Sequence, residues 1–161
     1  MKPVTSAFLI LLFALGFGSI AQARLGETEA TIIQRYGRPM LKQHFGWCDK
    51  ENFLANGFSI EVTFLNGVSA GESYHINSGG LTDSQVEDLL NANSQGYTWY
   101  DVDQADIPKD IVNPIRQMWQ RPNGSTATFT GPSLEFKSIW LIFAERDAAQ
   151  QAPPTPSTAG F

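Results

Sequence analysis

The chain has 161 residues, a formal net charge of −5, one cysteine and two histidines, and 42% of its residues are apolar. This length fits one domain, and a single cysteine excludes an intramolecular disulfide framework. An acidic chain without a cluster of Lys and Arg also lacks the basic density that a nucleic-acid binder needs. We therefore expect one folded domain that does not bind nucleic acid.

The first 23 residues have the pattern of a secretory signal peptide. Lys2 supplies the positive start, residues 7–15 are continuously apolar, and Ala21-Gln22-Ala23 is a small-x-small cleavage site. We predict cleavage after Ala23 and a secreted or periplasmic location, with no membrane span once the signal is removed. The open alternative is an N-terminal membrane anchor.

The opposite end of the chain is rich in Pro and Ala. Pro153-Pro154-Thr155-Pro156 cannot support a helix or a strand ladder, so residues 147–161 are predicted to form a disordered, extended tail. The predicted folded domain spans residues 24–146, with possible sub-units at 24–77 and 78–146.

The first sub-unit is predicted to begin with a short helix. Thr28 can cap its start, Ile32 and Tyr36 give an apolar stripe at helical spacing, and Gly37 can end it. Such a short helix is unstable alone, so we expect it to lie on a sheet.

That sheet is predicted from a β-hairpin over residues 58–76. Asn66-Gly67 separates two alternating runs, and both residue types accept the positive φ that a tight hairpin turn requires. If Leu65 pairs with Val68, Glu61 stands opposite Glu72, and the large residues of the first strand share a face with small ones of the second. The predicted helix would lie in the resulting trough.

The second sub-unit is predicted to repeat this order, helix first and strands afterwards. Thr82-Asp83-Ser84-Gln85 has the form of a capping box before an apolar stripe. Strand-like runs follow at 97–100, 115–120, 126–130 and 134–143. We predict an α+β fold, an antiparallel sheet with short helices packed on one face, formed by two α-plus-sheet units whose matching order suggests a duplication.

A family resemblance covers about residues 25–76. The run from Gly26-Glu27-Thr28 to Gly37-Arg38-Pro39, followed later by Phe64-Leu65-Asn66-Gly67, resembles the superfamily of β-lactamase-inhibitory proteins and SmpA/OmlA-type outer-membrane assembly lipoproteins. The resemblance implies helices layered on an antiparallel sheet and a protein-binding role. No lipidated cysteine follows the predicted signal, and no inhibitor contact residue can be carried over.

One grouping of residues resembles a nucleophile with its base. A thiol needs a neighbouring imidazole to form thiolate, and Cys48 has His44 nearby in sequence and His75 elsewhere. On one continuous strand His44 and Cys48 would be about 13 Å apart, and the adjacent Trp47 favours a buried thiol. These two observations make a small hydrolase that uses a His with Cys48 or a Glu the second hypothesis and not the first. The predicted Glu61–Glu72 pair is its acid/base variant.

Acidic residues after position 100 suggest a third hypothesis. Asp101, Asp103, Asp106 and Asp110 are hard oxygen donors that could hold an extracellular calcium ion, although they lack the spacing of an EF-hand. The alternative is that these residues lie in a solvated loop that binds no ion. We predict no cofactor.

Aromatic residues concentrate in the second half of the chain, where they either fill the core or mark an interface. The candidate binding residues are Tyr74, Tyr97, Trp99, Tyr100, Trp119 and Trp140. The leading hypothesis is a secreted, non-enzymatic domain that binds a protein or envelope component through its sheet face.

Overall fold

A computed structural model describes residues 24–103, 105–106 and 115–151. The elements in this part of the chain are α1 (Glu29–Tyr36), β1 (Leu41–Phe45), β2 (Cys48–Ala55), β3 (Phe58–Leu65), β4 (Val68–Ile76), α2 (Asp83–Ala92), β5 (Tyr100–Asp101), β6 (Gln117–Gln120), β7 (Thr126–Phe129), β8 (Ser133–Lys137) and α3 (Ile139–Gln151). The predicted signal segment 1–23, Asp110 and residues 152–161 of the predicted tail lie outside the described residues.

The eight strands form one antiparallel sheet in the order β1-β2-β3-β4-β8-β7-β6-β5. Strands β4 and β8 pair at its centre, so each predicted sub-unit contributes one half of a continuous sheet. Each half begins with a helix followed by four strands, and the second half ends with the additional helix α3. The predicted α+β class is confirmed.

The first two helices begin and end where their capping residues place them. Thr28 caps α1 by accepting a bond from the Thr31 amide, and Gly37 ends that helix with φ 84°. Thr82 and Gln85 form the predicted capping box of α2. The cap residues accept hydrogen bonds from backbone N–H groups in the first turn, which have no partner within the helix. The start of each helix is therefore set by its local sequence.

The hairpin at Asn66-Gly67 is present, and both residues have positive φ. Leu65 pairs with Val68 as predicted, but a β-bulge between Thr63 and Phe64 then shifts the register by one residue. Since side chains alternate between the faces of a strand, a shift of one residue sends each later side chain to the other face.

The bulge makes two predictions wrong. Glu61 stands opposite Ser73 instead of Glu72, and Glu72 stands opposite Val62. The expected trough of small residues is also absent, because Ile60 faces Tyr74 rather than a small side chain.

Three further elements differ from the sequence-based predictions. Residues 41–55 form an unpredicted hairpin, and the strand expected at 97–100 is confined to Tyr100–Asp101. The run expected as one strand over 134–143 divides into β8 and α3. Helix α3 continues to Gln151, so residues 147–151 are helical rather than part of an extended tail.

The two faces of the sheet have different coverings. We call the face under α1 and α2 the inner face; its core includes Ile32 of α1, Leu89 of α2 and the sheet residues Ile60, Tyr74 and Phe136. We call the opposite side the outer face. There Leu141 of α3 lies directly over Gly71, whose missing side chain leaves room for the helix.

Candidate binding groove

Two of the six candidate binding residues are core residues. The side chain of Tyr74 is completely buried and that of Trp119 is 7% exposed, because both point to the inner face beneath the helices. Neither can contact a partner at the protein surface, so both assignments are wrong.

Trp99 has a structural contact on each side. Its Nε1 donates to the backbone oxygen of Leu90 at 2.8 Å, and its ring packs against Phe136 at 5.7 Å between centroids. The guanidinium of Arg121 lies 4.6 Å from the ring centroid. Trp99 therefore anchors the end of α2 to the sheet.

The other three candidates are exposed but lie in different places. Tyr97 follows α2, Tyr100 lies on the edge strand β5, and Trp140 is the second residue of α3. Trp140 is 71% exposed, more than either tyrosine. Of the three, Trp140 borders a concave site.

That site is a groove of about 720 Å³ at the end of the sheet, and we call it the α3 groove. The start of α3, the chain entering α1 and three strand-connecting turns surround it. Its apolar lining is formed by Leu25, Trp47, Leu65, Val68, Ile139 and Trp140. A mainly apolar concave surface with a few polar groups is the usual character of a binding site.

Two tryptophans border the α3 groove. Trp47 lies in the two-residue loop between β1 and β2 and is 41% exposed. Trp140 stacks edge-on against Phe143, with the ring centroids 6.4 Å apart. Trp47 is not among the residues predicted from sequence, although its Gly46-Trp47 pair separates two strand-like runs and could have indicated an exposed hairpin tip.

Arg121 lies at the base of the groove and is 2% exposed. Its Nη1 donates to the backbone oxygens of Asn93 and Ser94 at 2.8 and 3.1 Å, which closes the end of α2. Burial lowers the pKa of the guanidinium. Carbonyl dipoles and the ring faces of Trp99 and Tyr97 stabilise this charge in place of a carboxylate.

The hydrolase hypothesis requires a thiol beside an imidazole, and the fold separates them. His44 and Cys48 belong to two paired strands, but His44 stands opposite Asp49 and Phe45 stands opposite Cys48. Alternation therefore places His44 on the inner face and Cys48 on the outer face. His75 lies near the far end of β4, opposite Ser59. Burial raises the pKa of the Cys48 thiol, which disfavours the reactive thiolate.

The two carboxylates of the acid/base variant are also apart. Glu61 forms an ion pair with Lys50 at 2.7 Å on the outer face. Glu72 is 1% exposed on the inner face, where Tyr74 donates its hydroxyl proton to Glu72 Oε2 at 2.9 Å. Burial raises the pKa of Glu72 to about 8. The predicted register sets Glu72 opposite Glu61, whereas the bulge places it opposite Val62 on the inner face, where it is hidden from substrate.

A charged cleft of about 330 Å³ lies at the inner-face edge of the sheet. Lys42 bridges Glu29 of α1 and the nearly buried Glu51, and His44 contacts Asp49 at 2.6 Å. The two ion pairs of Lys42 join α1 to β1 and β2, so we interpret the cleft as the attachment of α1 to these strands.

The proposed calcium ligands do not converge. The carboxylate of Asp101 accepts a bond from Gln117 at 2.9 Å, and that of Asp103 accepts one from the amide of Ala105. Across residues 24–103, 105–106 and 115–151, no group of three His, Cys, Asp or Glu side chains is placed to hold a metal ion. The calcium prediction therefore fails for Asp101, Asp103 and Asp106, which form no such group, and Asp110 lies outside the described residues.

The helices of the described residues include none that is both long and apolar enough to cross a membrane. No family model matches the sequence, and no curated protein matches it significantly. Among solved structures, a cysteine-rich secretory protein from Staphylococcus aureus matches with 10% identity and a TM-score of 0.48. The match covers 73% of this chain and 46% of the other, so the chain spans about half the length of that protein.

Proposed function

We propose that this protein is an exported, non-enzymatic binding domain, and that its partner is a protein whose apolar side chains enter the α3 groove. The observation that carries the proposal is the groove itself, with Trp47 and Trp140 exposed at its border. Tryptophan is enriched among the residues that dominate protein–protein binding energy, because its large ring removes much apolar surface from water when it is buried in an interface.

The size and shape of the groove favour a protruding segment over a flat surface. A volume of about 720 Å³ lies within the range of ligand-binding clefts and leaves room for apolar side chains of a loop or helix. The exposed side chain of Asn123 lies beside the apolar lining and can bond to the backbone of that segment. A flat envelope surface, such as a lipid layer, would contact Trp140 without filling the groove.

Two sequence features support the other parts of the proposal. The signal-like pattern of residues 1–23 supports export. The resemblance of residues 25–76 to β-lactamase-inhibitory and SmpA/OmlA-type proteins supports a protein as the partner rather than a small molecule. The separation of Cys48 from both histidines supports a non-enzymatic role.

Site-specific photocrosslinking in the organism that produces the protein tests the proposal. A photoreactive phenylalanine analogue replaces Trp140 in one variant and Tyr100 in a matched control, which is also exposed but lies on the edge strand β5. We expect a discrete crosslinked protein from position 140 and none from position 100. The same product from both positions, crosslinks to lipid alone, or no crosslink from position 140 would contradict the proposal.

Point variants then measure the contribution of the groove. With the captured partner purified, Trp140→Ser and Trp47→Ser should each weaken binding at least about tenfold, the size of a moderate hot spot. Tyr100→Ser removes an exposed aromatic of the edge strand β5, outside the groove, and should leave affinity unchanged. Equal losses in all three variants would show that general surface hydrophobicity, and not the groove, drives binding.

A further inference from the structure

The strand β1 forms one edge of the sheet, and all five of its residues are exposed. An edge strand presents backbone N–H and C=O groups that a further strand can pair with. The opposite edge, β5, has two residues and offers a much shorter ladder. Within the part of the chain that the structure describes, β1 is thus the longer of the two edge strands.

The backbone groups that face outward on this edge can be identified. The two-residue loop after Phe45 makes Phe45 and Cys48 a hydrogen-bonded pair, and hydrogen-bonded pairs alternate along an antiparallel ladder. Gln43 and Leu41 therefore bond to β2, whereas Lys42 and His44 direct their backbone N–H and C=O groups away from the sheet.

The side-chain types of β1 are arranged symmetrically about Gln43. The sequence Leu41-Lys42-Gln43-His44-Phe45 is apolar, basic, amide, basic and apolar. Pairing with a second β1 in antiparallel register around Gln43 sets Leu41 opposite Phe45 and Lys42 opposite His44, twice by symmetry. Such a two-fold contact is self-complementary, as an isologous dimer requires.

The exposed apolar residues of this region match that register. Leu41, Phe45 and Leu54 all point to the outer face and are 50%, 43% and 58% exposed. The paired register places Phe45 of one copy beside Leu41 of the other, with Leu54 next to it. The pair thereby continues one apolar stripe across both copies.

The charges on the other side of β1 do not oppose the pairing. Lys42 bonds to Glu29 and Glu51, and His44 bonds to Asp49, so each basic group has a carboxylate of its own copy. An edge lysine normally discourages strand addition by projecting over the edge. Here Lys42 is turned to the inner face and leaves the edge open.

We infer that a second copy of this chain pairs with β1 in antiparallel register around Gln43, forming a continuous sheet of sixteen strands. The inference is independent of the α3 groove. A five-residue strand pair buries less surface than the roughly 1,200 Å² of a stable interface, so the dimer should dissociate in the micromolar range.

Disulfide trapping tests the register. Gln43 faces its own symmetry mate in a non-hydrogen-bonded pair, where Cα atoms are about 4.5 Å apart, within the range of a disulfide. Gln43→Cys combined with Cys48→Ala should give a covalent dimer under mild oxidation. The matched control His44→Cys with Cys48→Ala should not, because residues 44 of the two copies lie beyond about 7 Å. A monomer from Gln43→Cys, or equal dimer from both, would overturn the register.

Sedimentation of the unmodified protein across the micromolar range tests the dimer itself. His44→Pro removes one outward N–H per copy without touching the bonds to β2, and should weaken dimerisation at least about tenfold. His44→Ala keeps that N–H and should dimerise like the wild-type protein. A melting curve confirms that both variants are folded. A wild-type protein that stays monomeric to the highest concentration, or a folded His44→Pro variant that dimerises normally, would overturn the inference.

Discussion

The hydroxyl of Tyr74 donates a hydrogen bond to Glu72 Oε2 at 2.9 Å within the core. A second hydrogen bond, 2.8 Å between the two hydroxyl oxygens, connects Tyr36 of α1 to Tyr74. Glu72 Oε1 has no hydrogen-bond partner among the described residues. The bulge in the β3–β4 hairpin thus buries a carboxyl group with less polar contact than a charged carboxylate requires. Protonation relieves this, which is why burial raises the pKa of Glu72 to about 8.

The stability of the protein should fall as the pH rises toward 8. The folded protein retains the Glu72 proton up to about pH 8, whereas the unfolded chain releases it near 4.5. Between these values the folded state binds more protons, so the free energy of unfolding decreases by up to about 1.4 kcal/mol per pH unit and levels off above pH 8. Urea unfolding between pH 4 and 9 measures this slope.

Glu72→Gln should remove that slope and make the protein more stable than the wild type at pH 8. Glutamine keeps an oxygen that accepts from Tyr74 but carries no charge. Glu61→Gln is the matched control, because Glu61 is a half-exposed carboxylate of the same hairpin. A wild-type slope that survives in Glu72→Gln would show that this carboxyl is not its source.

Gly71→Ala should destabilise the protein by about 1–3 kcal/mol, because the space above Gly71 is filled. A Cβ atom at this position would lie 2.4 Å from Cδ2 of Leu141. Combining Gly71→Ala with Leu141→Ala removes the clash, so the double variant should lose less than the sum of the single losses. Gly46→Ala, where nothing lies within 4 Å of the added Cβ, is the control and should be close to neutral. Additive losses would contradict the packing of α3 on β4.

Arg121→Lys should cost about 2–3 kcal/mol although the charge is retained. A lysine ammonium could donate to Asn93 and Ser94, but it has no planar face to stack on Trp99 and is more strongly hydrated than a guanidinium. Chemical denaturation gives the loss, and Arg38→Lys, at an exposed position, serves as the control. A neutral Arg121→Lys would mean that α2 does not depend on this contact.

Cys48 should resist alkylation in the folded protein and react readily after unfolding. The residue is 5% exposed and its thiol pKa is raised by burial, so the labelling rate should be at least about a hundredfold lower in the native state. Timed labelling with a thiol reagent, with and without denaturant, measures this. His44→Ala should not change the native rate, since His44 lies on the other face of the sheet. Rapid native labelling that depends on His44 would revive the hydrolase hypothesis.

The sequence predicted part of the candidate site and misplaced the rest. Trp140 is one of the binding candidates that the sequence indicates, and the groove includes it. Tyr74 and Trp119 are candidates on the same grounds but lie in the core, because the positions of aromatic residues in a sequence do not distinguish core from surface. Trp47 was missed because the β1–β2 hairpin that exposes it was not predicted.

Local chemistry along the chain was enough to determine where α1 and α2 begin and where the β3–β4 hairpin turns. Thr28, Thr82 and Asn66-Gly67 act through bonds and φ angles that involve only neighbouring residues. The α+β class followed, because short amphipathic helices beside alternating strands have few ways to bury their apolar faces.

Tertiary structure alone decided the features that depend on contacts between distant residues. The pairing of β4 with β8 joins the two halves, and the division of 134–143 into β8 and α3 depends on Leu141 finding space over Gly71. One bulged residue moves Glu72 and Tyr74 to the inner face. The predicted pair of carboxylates, Glu61 and Glu72, is therefore replaced by a buried hydrogen bond between Tyr74 and Glu72. No local pattern encodes such choices, because their free energy comes from burial and packing against elements far away in the sequence.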